Sequence, residues 1–115
     1  MAEKKLAIQY SQTGDPTEVV ELVRIETPDP ARDEVVVDVE AAPINPSHLL
    51  TLSGKYLGVK ATLPAMAGGE GVGRVVDIGA DVTSLKVGDR VLIPPFSGAW
   101  RQQLLAKAER LGAPL

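Results

Sequence analysis

The sequence of 115 residues contains no cysteine, which excludes disulfide bonds and zinc sites with thiolate ligands. It has one histidine, too few for a zinc site built from the usual three protein ligands. The net charge is −3 with a pI near 5.1, and no basic stripe is present, so we expect no nucleic-acid partner. No apolar run approaches the roughly 20 residues that span a bilayer, and the first ten residues do not resemble a signal peptide. These absences predict a soluble, cytoplasmic protein.

Short alternating apolar segments are the main pattern that the chain does contain. In residues 5–10 and 34–41, apolar side chains occupy every second position, as a half-buried strand requires. Residues 90–93 form a short buried run that ends at two prolines, and residues 17–28 are a weaker strand candidate. Turn residues separate these segments. The pattern predicts a mainly β fold, a partly open antiparallel barrel.

One or two short helices are expected to interrupt this barrel. The segment INPSHLLTLSG (44–54) places Asn45 at an N-cap and Pro46 at the first helical position, and Gly54 ends the helix. We expect His48 to be a polar residue on this helix. The positions predicted to face the core are Leu49, Leu50 and Leu52. Residues 104–115 could form either a strand and a loop or a short terminal helix.

The segment GGEGVG raises the question of a nucleotide-binding loop, because Gly69, Gly71 and Gly73 alternate in it. A dinucleotide fingerprint, G-x-G-x-x-G, lies between a strand and a helix. Here Arg74 stands where the third glycine belongs, and a β-branched run follows, so no helix N-terminus is available for a pyrophosphate. We therefore predict that Gly71 and Gly73 lie on one side of a strand and let another backbone or a ligand approach closely.

Three segments carry a resemblance to a known family. In this order, INPSHLLTLSGKYLGVKATLPAMAGGEGVG, KVGDRV and GAWRQQLL resemble the N-terminal GroES-like catalytic domain of the medium-chain dehydrogenase/reductase superfamily, over about residues 5–111. Within it they are most similar to zinc-independent 2-enoyl thioester reductases of the acyl-CoA or acyl-carrier-protein type. Quinone-oxidoreductase-like members are the nearest alternative. The resemblance implies that residues 1–115 are one GroES-like catalytic domain and that the family's nucleotide-binding Rossmann domain lies outside them.

The resemblance also implies a chemistry. NADPH would be the cofactor of the two-domain protein, with no tight binding to these 115 residues alone, and an enoyl thioester or a quinone would be the substrate. Zinc-dependent relatives carry cysteine at the position of Asn45 and histidine at that of Gly69, so a metal-free site is expected. Tyr56 is the catalytic candidate, because a phenol can donate to the thioester oxygen as an enolate forms. The alternative is a loop tyrosine that packs its ring on the barrel.

Two polar residues have a structural and a functional interpretation each. Asn45 is either only an N-cap or, as the resemblance implies, also a cofactor-binding residue beside the nicotinamide. Glu70 is a candidate for the substrate pocket, or it pairs with a nearby cation such as Arg74 or Arg90.

Two further pocket candidates follow one another in the chain. Trp100, the only tryptophan, is either a packing residue or, by the resemblance, a wall for the acyl chain. Arg101 either contacts a cofactor or substrate phosphate or is a solvated arginine on a strand.

Two functions other than an enzyme remain open from the sequence. The chain could be a stand-alone barrel that serves for binding or self-association, and we expect some homo-oligomerisation through exposed barrel surface. A chaperonin-partner role would rest on barrel shape alone, which does not establish function.

Overall fold

The computed structural model describes residues 3–115, which form seven strands and three short helices. The mainly β fold is confirmed, but three helices take the place of the expected one or two. The strands are β1 (Lys4–Tyr10), β2 (Val20–Glu26), β3 (Glu34–Ala41), β4 (Ala65–Met66), β5 (Gly71–Ile78), β6 (Arg90–Ile93) and β7 (Gln103–Lys107), and the helices are α1 (Pro16–Val19), α2 (Pro46–Ser53) and α3 (Ala108–Leu111).

The strands form two antiparallel sheets, with the orders β2-β1-β4 and β6-β5-β3-β7. The segment before β7 joins them. On one side, the Ile8 N–H donates to the Trp100 carbonyl and the Gln102 N–H donates to the Leu6 carbonyl, both at 2.9 Å. On the other side, the Val39 N–H donates to the Gln102 carbonyl at 2.9 Å. The result is a barrel that is partly open.

The larger apolar core lies on one face of the four-stranded sheet. Val35 and Val37 of β3, Val75 of β5 and Val91 of β6 are fully buried there, which confirms the alternation predicted for β3. Val36, on the opposite face, is buried as well, because residues 27–29 after β2 lie beside it. A central strand covered on both faces loses the clean alternation that an exposed face would give.

The smaller core lies between the three-stranded sheet and α2, and it consists of Tyr10, Val19, Leu52 and Ala67. Of the three leucines predicted to face the core, only Leu52 does so. Leu49 and Leu50 are exposed. The eight-residue helix packs along one narrow face, and His48 and Leu52, four positions apart, share that face.

Two segments, residues 17–28 and residues 104–115, contain a short helix next to a strand. The weak strand candidate at residues 17–28 begins with the single turn α1, because Asp15 caps it by accepting from the Thr17 N–H at 2.9 Å and Pro16 takes its first position. At the C-terminal end, both alternatives hold in part, since β7 leads directly into α3. None of the helices in residues 3–115 has the length and apolar character that a bilayer span requires.

The alternating glycines of β5 allow the close approach of a neighbouring strand. A Cβ on Gly71 would lie 2.8 Å from the Ala41 carbonyl oxygen, and one on Gly73 would lie 2.6 Å from that of Asp38. Both acceptors belong to β3, whose register with β5 shifts between Val39 and Ala41. The prediction of close backbone approach is confirmed. The bulge and the glycines together bring the start of β5 up to the cavity described next.

Candidate active site

A cavity of about 280 Å³ opens beside α2 and the segment that leads into β5. The start and the inner face of α2 form one wall, the backbone of Gly68 and Gly69 with Glu70 forms a second, and the loop after β6 contributes Phe96. Three of the five residues proposed from the sequence for a site line this one space: Asn45, Tyr56 and Glu70.

Asn45, His48 and Glu70 are connected by hydrogen bonds between these two walls, and we call this group of three residues the floor of the cavity. The Asn45 side-chain amide donates to Glu70 Oε2 at 3.1 Å. His48 Nε2 lies 3.2 Å from Glu70 Oε1, and the Asn45 backbone N–H donates to His48 Nδ1 at 3.1 Å. Asn45 does stand at the N-cap of α2, followed by Pro46, as predicted.

Glu70 is held as a carboxylate. A hydrogen bond from its own backbone N–H is the largest cause, and donors on His48 and Asn45 add to it, so that the pKa of Glu70 lies below its ordinary value of 4.5 although desolvation opposes the shift. The side chain remains 40% exposed, so it can still accept from a ligand. The pairing with Arg74 or Arg90 considered above is wrong, because both arginines bind Glu40, at 3.7 and 3.0 Å.

Tyr56 lies on the loop that follows α2, where its carbonyl accepts from the Val59 N–H at 3.2 Å in a turn. Its side chain is partly exposed while it lines the cavity. The second tyrosine in the lining, Tyr10, belongs to the smaller core instead, and burial raises the pKa of its hydroxyl. Of the two phenols, Tyr56 is the better placed to donate to a ligand that enters from solvent.

His48 and Phe96 line the cavity as well, although neither was proposed from the sequence as a site residue. Phe96, the only phenylalanine, has φ 64° and is exposed at the cavity rim. A left-handed backbone at a bulky residue costs of order 1–3 kcal/mol and is found most often at functional sites. The run Pro94-Pro95 before it and Gly98 after it mark a tight loop. An exposed aromatic on such a loop was the available clue.

Trp100 and Arg101 lie elsewhere, along an open groove of about 430 Å³. The Trp100 indole N–H donates to the Pro43 carbonyl at 3.0 Å. Arg101 donates through Nε to the Gln103 carbonyl at 2.7 Å, and burial lowers the pKa of its guanidinium, so it is not a simply solvated arginine. Neither residue lines the cavity that holds Tyr56.

The lining suits some ligands better than others. Within residues 3–115, no group of three histidine, cysteine, aspartate or glutamate side chains could hold a metal ion. The Gly69–Gly73 segment runs into β5, so it offers no helix N-terminus for a pyrophosphate. The cavity combines the polar side chains of Asn45 and Glu70 with the aromatic rings of Tyr56 and Phe96.

The partly open antiparallel barrel is a GroES-like domain. The chain belongs to the alcohol dehydrogenase GroES-like domain family, whose profile matches residues 31–111. The resemblance noted in the sequence is therefore confirmed.

Relatives and solved structures narrow this family. The mitochondrial enoyl-[acyl-carrier-protein] reductase of Bos taurus is 42% identical over 106 residues, which cover 91% of this chain and 28% of the relative. The structure of the Etr1p/NADP/crotonyl-CoA complex superposes with a TM-score of 0.85 at 29% identity and covers 98% of this chain and 34% of that one. The quinone oxidoreductase from Coxiella burnetii gives a TM-score of 0.78 at 29% identity, with 93% and 36% covered. This chain thus spans under a third of the length of the Bos taurus reductase.

Proposed function

We propose that this chain is the catalytic-domain portion of a zinc-independent, NADPH-dependent reductase that acts on the C=C bond of 2-enoyl thioesters. The observation that carries the proposal is one cavity that combines a partly exposed phenol, Tyr56, with the Asn45–Glu70 pair. The likeness to the Etr1p complex with NADP and crotonyl-CoA supports it. In this proposal the phosphate-binding residues belong to a nucleotide-binding domain outside the 115 residues. The 115 residues by themselves would therefore bind NADPH weakly.

The proposed roles follow from the chemistry of each side chain. NADPH, when bound, supplies a hydride to the β-carbon of the substrate. Negative charge then develops on the thioester oxygen, and the Tyr56 hydroxyl donates to it or to the α-carbon. Asn45 holds the nicotinamide end of the cofactor by a hydrogen bond, and Phe96 covers the rim against water.

Trp100 and Arg101 have a more distant role in this proposal. Because they line the open groove and not the cavity, they would contact the part of a long ligand that extends past the reacting carbons. Trp100 would then be the wall for an acyl chain, and Arg101 would contact a phosphate of the carrier or the cofactor.

The second candidate is reduction of a quinone, which the likeness to the Coxiella burnetii enzyme favours. The two are separated by following NADPH oxidation by the full-length protein with crotonyl-CoA and with 1,4-benzoquinone. We expect kcat/KM to be higher for crotonyl-CoA. Turnover of the quinone alone would favour the second candidate, and no turnover of either would favour the third, a binding or self-association module.

Replacement of Tyr56 by phenylalanine tests the catalytic proposal. The change removes the donor and keeps the ring, and loss of one such donor costs about a hundredfold in rate, or roughly 3 kcal/mol of barrier. We expect kcat on crotonyl-CoA to fall by that factor, with little change in NADPH affinity.

Tyr10→Phe is the matched control, because it removes the other phenol that lines the same cavity. Its kcat should stay within about threefold of the parent. If kcat were unchanged in Tyr56→Phe and fell in Tyr10→Phe instead, the donor would be Tyr10, and the proposed role of Tyr56 would be wrong.

Metal independence and location are further parts of the proposal. We expect elemental analysis of chelator-washed protein to find far less than one equivalent of zinc, and one tightly held equivalent would contradict this. The predicted location is the cytoplasm. Several relatives are named as mitochondrial, so imaging of the tagged full-length protein in its own cell is the decisive observation.

A further inference from the structure

His48 is a buried ionisable residue that the proposed reaction does not use. It is 9% exposed, and it lies on the narrow face of α2 beside the cavity. A buried imidazole with both nitrogens in hydrogen bonds is ordered by its neighbours and in turn orders them. Its two partners, Asn45 and Glu70, are the two polar residues of the cavity floor.

The hydrogen bonds determine the protonation of the ring. Nδ1 accepts from the Asn45 backbone N–H, so this nitrogen carries no proton. The neutral ring then has its proton on Nε2, which donates to Glu70 Oε1 at 3.2 Å. A proton on Nδ1 would face the Asn45 N–H, two donors against each other.

The ring cannot easily leave this position. A Cβ on Gly69 would lie 2.5 Å from His48 Nε2, so glycine at that position leaves just the room that the ring occupies. On another side the Trp100 ring meets it edge-on, with centroids 5.6 Å apart and an interplanar angle of 86°. The imidazole is therefore enclosed between the backbone of residue 69 and an indole.

The consequence falls on Glu70. Each of its oxygens receives one donor, Oε1 from His48 and Oε2 from Asn45. The carboxylate is thereby fixed in orientation, and its remaining lone pairs can only accept. A ligand group that hydrogen-bonds to Glu70 must therefore be a donor, and an anionic group beside it would be repelled.

We propose that His48 is a positioning residue that fixes the Glu70 carboxylate, so that this wall of the cavity selects a ligand group with an N–H donor, the carboxamide of a nicotinamide. The identity of that group rests on the proposed function. The orientation of Glu70 by His48 does not, because it follows from the hydrogen bonds alone.

Two substitutions separate the two hydrogen bonds of the ring. His48→Gln brings a side-chain amide N–H₂ near the place of Nε2 and so keeps a donor for Glu70. His48→Asn brings an amide oxygen near the place of Nδ1, keeps the acceptor for the Asn45 N–H, and loses the donor. The two variants therefore differ in whether residue 48 donates a hydrogen bond to Glu70, which is the interaction that the proposal requires.

The probe is the 3-acetylpyridine analogue of NADPH, in which a methyl group replaces the carboxamide N–H₂. Dissociation constants of NADPH and of the analogue are measured for the full-length protein and both variants. We expect the parent and His48→Gln to bind NADPH about tenfold or more tightly than the analogue, as loss of a hydrogen bond to a charged group predicts. In His48→Asn the two constants should agree within about twofold.

Imidazole ¹⁵N shifts of the unmodified full-length protein test the same point without a ligand. The neutral ring should carry its proton on Nε2, and a proton on Nδ1 would overturn the proposal even if both variants failed to fold. A tenfold preference retained in His48→Asn, or absent from the parent, would overturn it too. Failure to reduce crotonyl-CoA would instead count against the proposed function, since neither the tautomer nor the binding ratio depends on turnover.

Discussion

The two sheets of this domain are built differently, and the site lies beside the smaller one. The four-stranded sheet covers a core of aliphatic side chains, with Val35, Val75 and Val91 fully buried. The three-stranded sheet shares a smaller cluster with α2, and two of its members, Tyr10 and Leu52, also line the cavity. One core is therefore made of aliphatic side chains alone, while the other shares two of its residues with a cavity.

The largest effect should come from cutting a core leucine in each region. Leu104 and Leu52 are almost equally buried, at 3% and 2% exposure. Leu→Ala in a core costs about 2–5 kcal/mol, and more where the remaining void cannot relax. We expect Leu104→Ala to lie near the upper end and Leu52→Ala near the lower end, because Leu52 borders an existing cavity. Urea unfolding of both variants measures the difference.

The slope of the unfolding curve with urea is the control, since an unchanged slope shows that both variants unfold from the same native state. Equal losses, or a larger loss for Leu52→Ala, would mean that the two regions pack equally well and that the contrast between them is wrong.

A second comparison uses two glycines that are crowded for different reasons. A Cβ on Gly73 would meet the fully buried Val37 side chain and, at 2.6 Å, the Asp38 carbonyl oxygen of β3, whereas one on Gly69 would meet only the His48 side chain. Overpacking of this kind costs about 1–3 kcal/mol. We expect Gly69→Ala to lower the free energy of unfolding much less in a His48→Asn background than in the parent. Gly73→Ala should lower it by the same amount in both.

Unfolding free energies of the single and double variants give the coupling directly. A coupling near zero between positions 48 and 69 would show that the ring moves aside freely, and it would weaken the view that Gly69 encloses His48.

Most of the fold followed from local patterns in the sequence. The alternation in residues 5–10 and 34–41 predicted β1 and β3, and the Asn45-Pro46 start and Gly54 end of α2 stand where they were expected. The error at Leu49 and Leu50 concerns burial. A helical pattern lists candidate faces, but only tertiary packing decides how wide the buried face is, and α2 packs along a narrow one.

The site was predictable where motif and chemistry coincide and not where distant segments meet. Tyr56 and Asn45 were identified from the resemblance and lie in one cavity. The Glu70–His48 contact joins residues 22 positions apart, which no local rule connects. The clue that was available is the Asn45-x-x-His48 spacing, since a side chain at the third helical position can reach back to the N-cap backbone.

The smallest effect expected is a pH dependence of stability that differs between the two regions. Asp33, just before β3, pairs with Lys107 of β7 at 2.8 Å, and that bond lowers the pKa of Asp33. Hydrogen bonds likewise lower the pKa of Glu70 in the site. For a carboxyl whose folded pKa is lowered, the unfolded chain takes up the proton first. The stabilisation is thus complete above the unfolded pKa and is lost as pH falls through the folded one.

Glu70→Gln isolates the contribution of the site to this loss. Above pH 5 or so the parent should melt at a higher temperature than the variant, and the gap should narrow as pH falls below about 4.5, the ordinary pKa of the carboxyl. Glu21→Gln, at an exposed glutamate on β2 that does not line the cavity, serves as the control for the change of charge. Asp33→Asn should reproduce the narrowing on the four-stranded sheet without changing NADPH binding. If the gap for Glu70→Gln were the same at pH 7 and at pH 3, then Glu70 would not be stabilised as a carboxylate by its own backbone N–H, His48 and Asn45. The cavity floor would then lack the fixed charge on which its ligand preference depends.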